Sequence, residues 1–232
     1  MSPTPSPAND LSTASTTLPD EVAATLPWLV ADIGGTNARF GWIDDPAEAA
    51  RHSVAQVKTL PVADHATLGA AAQAYLAGLA EQARAAGRPW QPPRKAALAV
   101  ATPITGDQVS FTNSPWSFSR QALQADLGLQ ALLVLNDFEA LALSLPTLGA
   151  AQLRPHAALP QAQGTLAVLG PGTGLGVGAV TRTPSGWQAL PGEGGHVTLA
   201  AANDFEAEIL RLARREFEHV SAERFLSGTG LP

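Results

Sequence analysis

One pattern occurs twice in the 232 residues and limits the folds open to them. An apolar run enters a turn of glycines with a hydroxyl residue and leaves as a second apolar run. The first copy is Leu29-Val30-Ala31-Asp32-Ile33-Gly34-Gly35-Thr36-Asn37-Ala38-Arg39-Phe40. The second runs from Leu166 through Gly170-Pro171-Gly172-Thr173-Gly174-Leu175-Gly176 to Val180. Each reads as strand, tight turn, strand, because glycine takes the turn conformation and lets backbone N–H groups approach an anion. Two such halves facing each other would cradle a polyphosphate. Taken alone, each copy is equally a hairpin closed by glycines.

Both strands and helices are expected in the intervening chain. A third strand is expected near Ser53–Leu60. Apolar Leu68, Ala72, Tyr75, Leu76 and Leu79 recur at helical spacing within His65–Ala86, so one face should cover a sheet. Gly87 ahead of Pro89 supplies the stop. Lys95–Ala101 reads as a strand buried on both sides, and Gln108–Thr112 as a short strand. Ser119 suits the start of a helix to Leu127, with Gly128 as terminator. Ala131–Leu135 is expected as another buried strand, followed directly by a helix over Phe138–Leu145. Further on, Leu166–Leu169 and Val177–Arg182 read as strands, Asp204–His219 and Ser221–Leu226 as helices. Residues 1–27, rich in Ser, Thr and Pro without a periodic apolar face, read as a tail that is not a targeting peptide.

Composition excludes several classes of function. The net charge is −6, from 14 Lys+Arg against 20 Asp+Glu, which gives a nucleic-acid partner no electrostatic support. There are no cysteines, so disulfides, thiolate zinc sites and thiol nucleophiles are all absent, and a cytoplasmic enzyme is the default expectation. No apolar run approaches the roughly 18 residues of a membrane span.

Several polar residues sit where strands end. Asp32 could hold a water of Mg²⁺ near a transferred phosphate, or simply accept N–H bonds within its turn. Thr36, Asn37 and Arg39 offer a hydroxyl, an amide and a guanidinium to phosphate. Asp137 follows Leu133-Val134-Leu135-Asn136 at a strand end, where a carboxylate could take a proton from an attacking alcohol or cap the next helix. Gly172, Thr173, Gly174 and Gly176 lack the lysine of a P-loop and lead into a strand, unlike a dinucleotide fingerprint. Glu193 and His196 lie among Gly192, Gly194 and Gly195, suiting paired hydrogen bonds to sugar hydroxyls. As a metal pair they lack a third ligand. Glu223 could equally be a first-turn helix acid.

Six segments in order resemble the bacterial glucokinase family of the actin/hexokinase-like sugar kinases: L-V-A-D-I-G-G-T-N-A-R-F, A-T-P-I-T-G-D-Q-V-S-F-T-N-S-P-W-S-F-S, L-N-D-F-E-A-L-A, G-P-G-T-G-L-G-V, L-P-G-E-G-G-H-V and H-V-S-A-E-R-F-L-S-G. The resemblance runs from Leu29 to the C-terminus. It implies an actin-like ATPase (ribonuclease H-like) fold of duplicated α/β domains with mixed sheets, a small domain over 28–116 and a large one over 117–232. It also implies phosphoryl transfer from ATP·Mg²⁺ to the 6-hydroxyl of glucose, with Asp137 as the base. Asn113, Asn136, Glu193, His196 and Glu223 would bind the sugar. Asp32, Gly34, Gly35, Thr36, Asn37 and Arg39, with Gly172, Thr173 and Gly174, would hold the phosphates from opposite domains, Asp32 reaching Mg²⁺ through water. The partners implied are glucose and ATP, with no nucleic acid or membrane, and a homodimer as the family's common assembly. Family sequences continue past Ser227-Gly228-Thr229-Gly230 with an adenine-side motif, so the second domain is expected to be incomplete. A non-catalytic sugar-binding remnant is the alternative that this leaves. A sugar-responsive DNA-binding regulator is disfavoured, since that related group carries a cysteine-rich zinc motif.

Overall fold

Ten strands and seven α-helices make up the described part of this computed structural model, which comprises residues 20–111, 114–156, 164–228 and 230. In chain order they are α1 (Asp20–Ala23), β1 (Trp28–Ile33), β2 (Asn37–Ile43), α2 (Pro46–Ala50), β3 (Ala55–Pro61), α3 (Leu68–Ala85), β4 (Lys95–Val100), β5 (Gln108–Ser110) and β6 (Ser117–Ser119). Then follow α4 (Arg120–Asp126), β7 (Ala131–Asn136), α5 (Asp137–Ser144), β8 (Leu166–Pro171), β9 (Leu175–Thr183), β10 (Gly186–Leu190), α6 (Asp204–Ala213) and α7 (Ala222–Phe225). The chain divides into two compact units, one ending at Leu135 and the other beginning at Asn136.

The first unit is built on a mixed sheet in the order β3-β2-β1-β4-β7. Antiparallel β1 and β2 are joined by the first glycine turn, and β1 pairs in parallel with β4, Ile33 opposite Val100. Parallel neighbours need a long crossover, and the stretch containing α3 supplies it. Thr67 caps that helix, its hydroxyl accepting from the Ala70 N–H at 3.0 Å, and Gly87 leaves it with a φ of 64°. The predicted periodicity holds: Leu68, Ala72, Tyr75 and Leu79 are buried in one cluster with Leu29, Ile33, Phe40, Leu98 and Val100, and Leu76 packs against it. Phe40 and Tyr75 stack at 5.3 Å between ring centroids, while the Tyr75 hydroxyl donates to the Gln56 carbonyl at 2.9 Å. Burial pushes the Tyr75 phenol up to about 12.

The expectation of strands buried on both sides needs correcting. In β4, Ala96, Leu98 and Val100 are buried on the face α3 covers, while the alternating residues are only half-buried. The β7 strand is last in its sheet, with a neighbour on one side, and Leu133 is 52% exposed. In β8, read only as an apolar strand, Leu169 is 69% exposed on the sheet face turned away from α5.

The second unit rests on the antiparallel order β10-β9-β8, whose β8–β9 hairpin carries the second glycine turn. Helix α5 packs on this sheet, burying Ala142 completely. The helix expected over Asp204–His219 stops at Ala213. Beyond it the chain turns so that Val220 O accepts from Leu199 N at 3.0 Å and Ala222 N donates to Val197 O at 3.0 Å. Those inter-segment bonds, with the Thr198–Ser221 bridge, hold Val220 and Ser221 out of helical conformation. The last helix is correspondingly short, four residues in α7.

Candidate active site

Both glycine turns form as the sequence implied, each as the tip of an antiparallel hairpin. In the first, Gly34 N donates to Asn37 O at 2.9 Å, and Thr36 and Asn37 are exposed. Asp32 and Arg39 face each other in the β1–β2 register, with Oδ2 and Nη1 3.4 Å apart and both side chains 59% exposed. An ion pair so open contributes little to stability, which leaves the guanidinium and carboxylate available to a ligand. In the second, Gly172 N donates to Gly174 O at 2.8 Å, and Gly172 and Thr173 are exposed. Gly228 N donates to Gly172 O at 2.6 Å, so the segment after α7 is tied to this turn.

At the start of α5 two adjacent polar residues, Asn136 and Asp137, take different places. The capping residue is Asn136: its Oδ1 accepts from Phe138 N at 3.0 Å, and Glu139 Oε2 accepts in return from Asn136 N at 3.3 Å. This reciprocal capping box satisfies the helix start without requiring Asp137 in that role. Asp137 is the first helical residue, half-buried, and its Oδ1 accepts from Phe138 N at 2.9 Å. The helix therefore begins one residue before the expected Phe138.

Glu193 and His196, three residues apart, meet the distant Glu223 in the second unit. His196 Nδ1 lies 3.2 Å from Glu193 Oε2, and its Nε2 lies 3.6 Å from Glu223 Oε1. A single helical turn of the 3₁₀ type over Gly194–His196 holds the first two residues close, and Gly195 there is buried. A Cβ on Gly195 would run into the Leu175 carbonyl, so the close approach of this turn to β9 requires glycine. Glu223, in α7, also accepts from Leu175 N at 2.8 Å through Oε2. The carboxylate thus joins the histidine to the strand that leaves the second glycine turn. Nothing in the sequence pattern signalled that Leu175 contact, because one partner is a backbone amide.

Two carboxylates flanking an imidazole offer acceptors on both sides of one donor ring, which matches vicinal hydroxyls. Among the described residues no group of three or more His, Asp or Glu side chains is arranged to hold a metal ion. Asn113 lies outside the described residues. A depression of about 590 Å³ in the first unit, lined by Trp42, Asp44, Glu48, Gln56, Arg88 and Trp90 among others, contains none of the singled-out residues. No helix among the described residues is long and apolar enough to cross a membrane.

Comparison with known proteins gives a consistent family. A model of the Glucokinase family matches residues 29–232. A glucokinase from Aromatoleum aromaticum is 47% identical over 215 residues, covering 92% of this chain and 61% of the relative. One from Ralstonia nicotianae is 46% identical over 214 residues, covering 91% and 59%. The crystal structure of a glucokinase from an Antarctic psychrotroph superimposes with a TM-score of 0.76 at 39% identity, covering 88% of this chain and 61% of that one. A Balamuthia mandrillaris glucokinase in complex with glucose shares the fold at a TM-score of 0.57 and 23% identity, covering 88% and 60%. The chain spans about 60% of the length of the curated relatives it matches.

Proposed function

The chain belongs to the glucokinase family, and from that premise we propose that it carries the sugar site and the catalytic base of an ATP-dependent glucose 6-kinase. The observation that carries this reading is the assembly of Glu193, His196 and Glu223, with separations of 3.2 and 3.6 Å, from segments otherwise remote in sequence. These side chains accept hydrogen bonds from, and His196 also donates to, hydroxyls of glucose. Asn136 adds an amide, and Asn113 completes the set by resemblance.

Asp137 is the base. As the 6-hydroxyl oxygen bonds to the γ-phosphorus of ATP, its O–H bond breaks and the proton passes to the Asp137 carboxylate. The bond between the γ-phosphorus and the bridging oxygen breaks, and ADP departs with those electrons. Gly34, Gly35, Thr36, Asn37 and Arg39 in one turn, and Gly172, Thr173 and Gly174 in the other, contact phosphate oxygens through N–H, hydroxyl, amide and guanidinium groups. Asp32, a single exposed carboxylate beside Arg39, fits an ion such as Mg²⁺ that keeps several waters and binds phosphates, and by resemblance it would reach that ion through water. Bound there, the ion would neutralise charge on the transferred phosphoryl group. The reading sets the protein in the cytoplasm, with glucose and ATP as partners and a homodimer carried forward from the resemblance.

Glucose-dependent ADP release, measured in a coupled assay with ATP and Mg²⁺, tests the proposal. Wild type should turn over, and Asp137→Ala should lose that activity by about 10²-fold or more, keeping its glucose-induced thermal stabilisation. Equal turnover in both proteins removes Asp137 as base. Glucose stabilisation without any ADP release would reduce the reading to a sugar-binding protein.

A further inference from the structure

The glycines around the second turn do more than admit phosphate. In the β8–β9 register Gly170 lies opposite Gly176, and Gly178 follows two residues on along the same face. A side chain at any of the three would strike one residue. A Cβ on Gly170 would come within 2.8 Å of Phe138 Cζ and 3.0 Å of its Cε1. One on Gly176 would overlap the Phe138 ring, and one on Gly178 would overlap its carbonyl oxygen and approach Ala142 to 3.2 Å. Three absent side chains thus make a slot in the sheet, filled by the ring and backbone of the residue after Asp137. The same residue's N–H is held by Asn136 Oδ1 at 3.0 Å and Asp137 Oδ1 at 2.9 Å. The first turn of α5 is therefore seated on the sheet through the ring and backbone of one residue, and that turn carries Asp137.

We propose that Phe138, seated in the Gly170–Gly176–Gly178 slot, is the positioning residue for the Asp137 carboxylate. This rests on the reading of Asp137 as base. A strand surface stripped of Cβ atoms brings a helix closer than ordinary side chains permit. An aromatic ring locked against such a surface has little freedom to let the helix start slide. A base must stay within hydrogen-bond reach of the hydroxyl proton, and a displacement of about 1 Å costs on the order of 10²-fold in rate.

Phe138→Ala, assayed well below its unfolding temperature, should lower kcat for glucose about 10–100-fold while glucose KM stays within about threefold. Phe138→Leu should recover part of the loss. Gly176→Ala, which keeps the Phe138 side chain but fills the slot and so displaces its ring, should reproduce the kcat loss, and Phe138→Ala/Gly176→Ala should be no worse than Phe138→Ala. Wild-type kcat in Phe138→Ala, with only a lower unfolding temperature, overturns the proposal by leaving Phe138 a packing residue. Amide hydrogen exchange reads the positioning without turnover. The residue-138 N–H should exchange at least about tenfold faster in Phe138→Ala while Val180 N–H is unaffected, and unchanged exchange at residue 138 also overturns the proposal. Absence of turnover in wild type would instead defeat the kinase reading, and the exchange result then decides the role of Phe138 by itself.

Discussion

Replacing Glu223 with alanine removes two contacts of unequal worth. The Oε2 bond to Leu175 N, 2.8 Å long, is charge-assisted and made by a side chain only 32% exposed. Hydrogen bonds to charged groups contribute about 1.5–3 kcal/mol, and partial exposure brings this one toward about 1–2 kcal/mol. The approach of Oε1 to His196 Nε2, at 3.6 Å with the histidine 60% exposed, adds little. For a chain of this length each kcal/mol corresponds to about 2–4 °C, so the melting temperature should fall by about 2–8 °C. Glu223→Gln keeps an acceptor for Leu175 N without the charge and should lose about half as much. Thermal unfolding followed by circular dichroism at pH 7 without sugar measures both. A melting temperature for Glu223→Ala equal to that of wild type would show that Glu223 does not hold β9, and the link between the glycine turn and the histidine would fail with it.

Two further predictions concern the first unit. Phe40, 1% exposed and stacked on Tyr75, should lose about 3–5 kcal/mol of stability on truncation to alanine, measured by urea unfolding, and a loss under 1 kcal/mol would contradict its central place in that core. Tyr75 is the only tyrosine in the chain, so alkaline absorbance titration should show a single phenol near 12 in the folded protein, not 10. Because folding raises this pKa, the phenol's contribution to stability is complete below pH 10 and is lost as pH rises from 10 towards 12.

What the sequence made legible was local and periodic. The two glycine turns, the face of α3 and the cap at Ser119 follow from spacing and residue type, and all appear. Burial on both sides of a strand was not legible, because an apolar run such as Ala131–Leu135 reads alike at the centre and the edge of a sheet. The end of α6 was hidden for a different reason. Residues 214–219 carry no glycine or proline stop, and the helix yields to pairing between residues 197–199 and 220–222, which are distant along the chain. In the site, Asn136 and Asp137 are adjacent polar residues at the start of a helix. Only geometry shows that the first one caps. The slot for Phe138 did leave a trace: Gly176 and Gly178, two apart in a strand, put a bare stripe on one face.

The central claim divides the labour between a base, Asp137, and a sugar-holding cluster of Glu193, His196 and Glu223. Glucose titration calorimetry on Asp137→Ala and Glu193→Ala separates the two most directly. The account predicts glucose affinity near wild type for Asp137→Ala and a loss of about tenfold or more, some 1.4 kcal/mol, for Glu193→Ala. Unchanged affinity in Glu193→Ala together with lost binding in Asp137→Ala would contradict it.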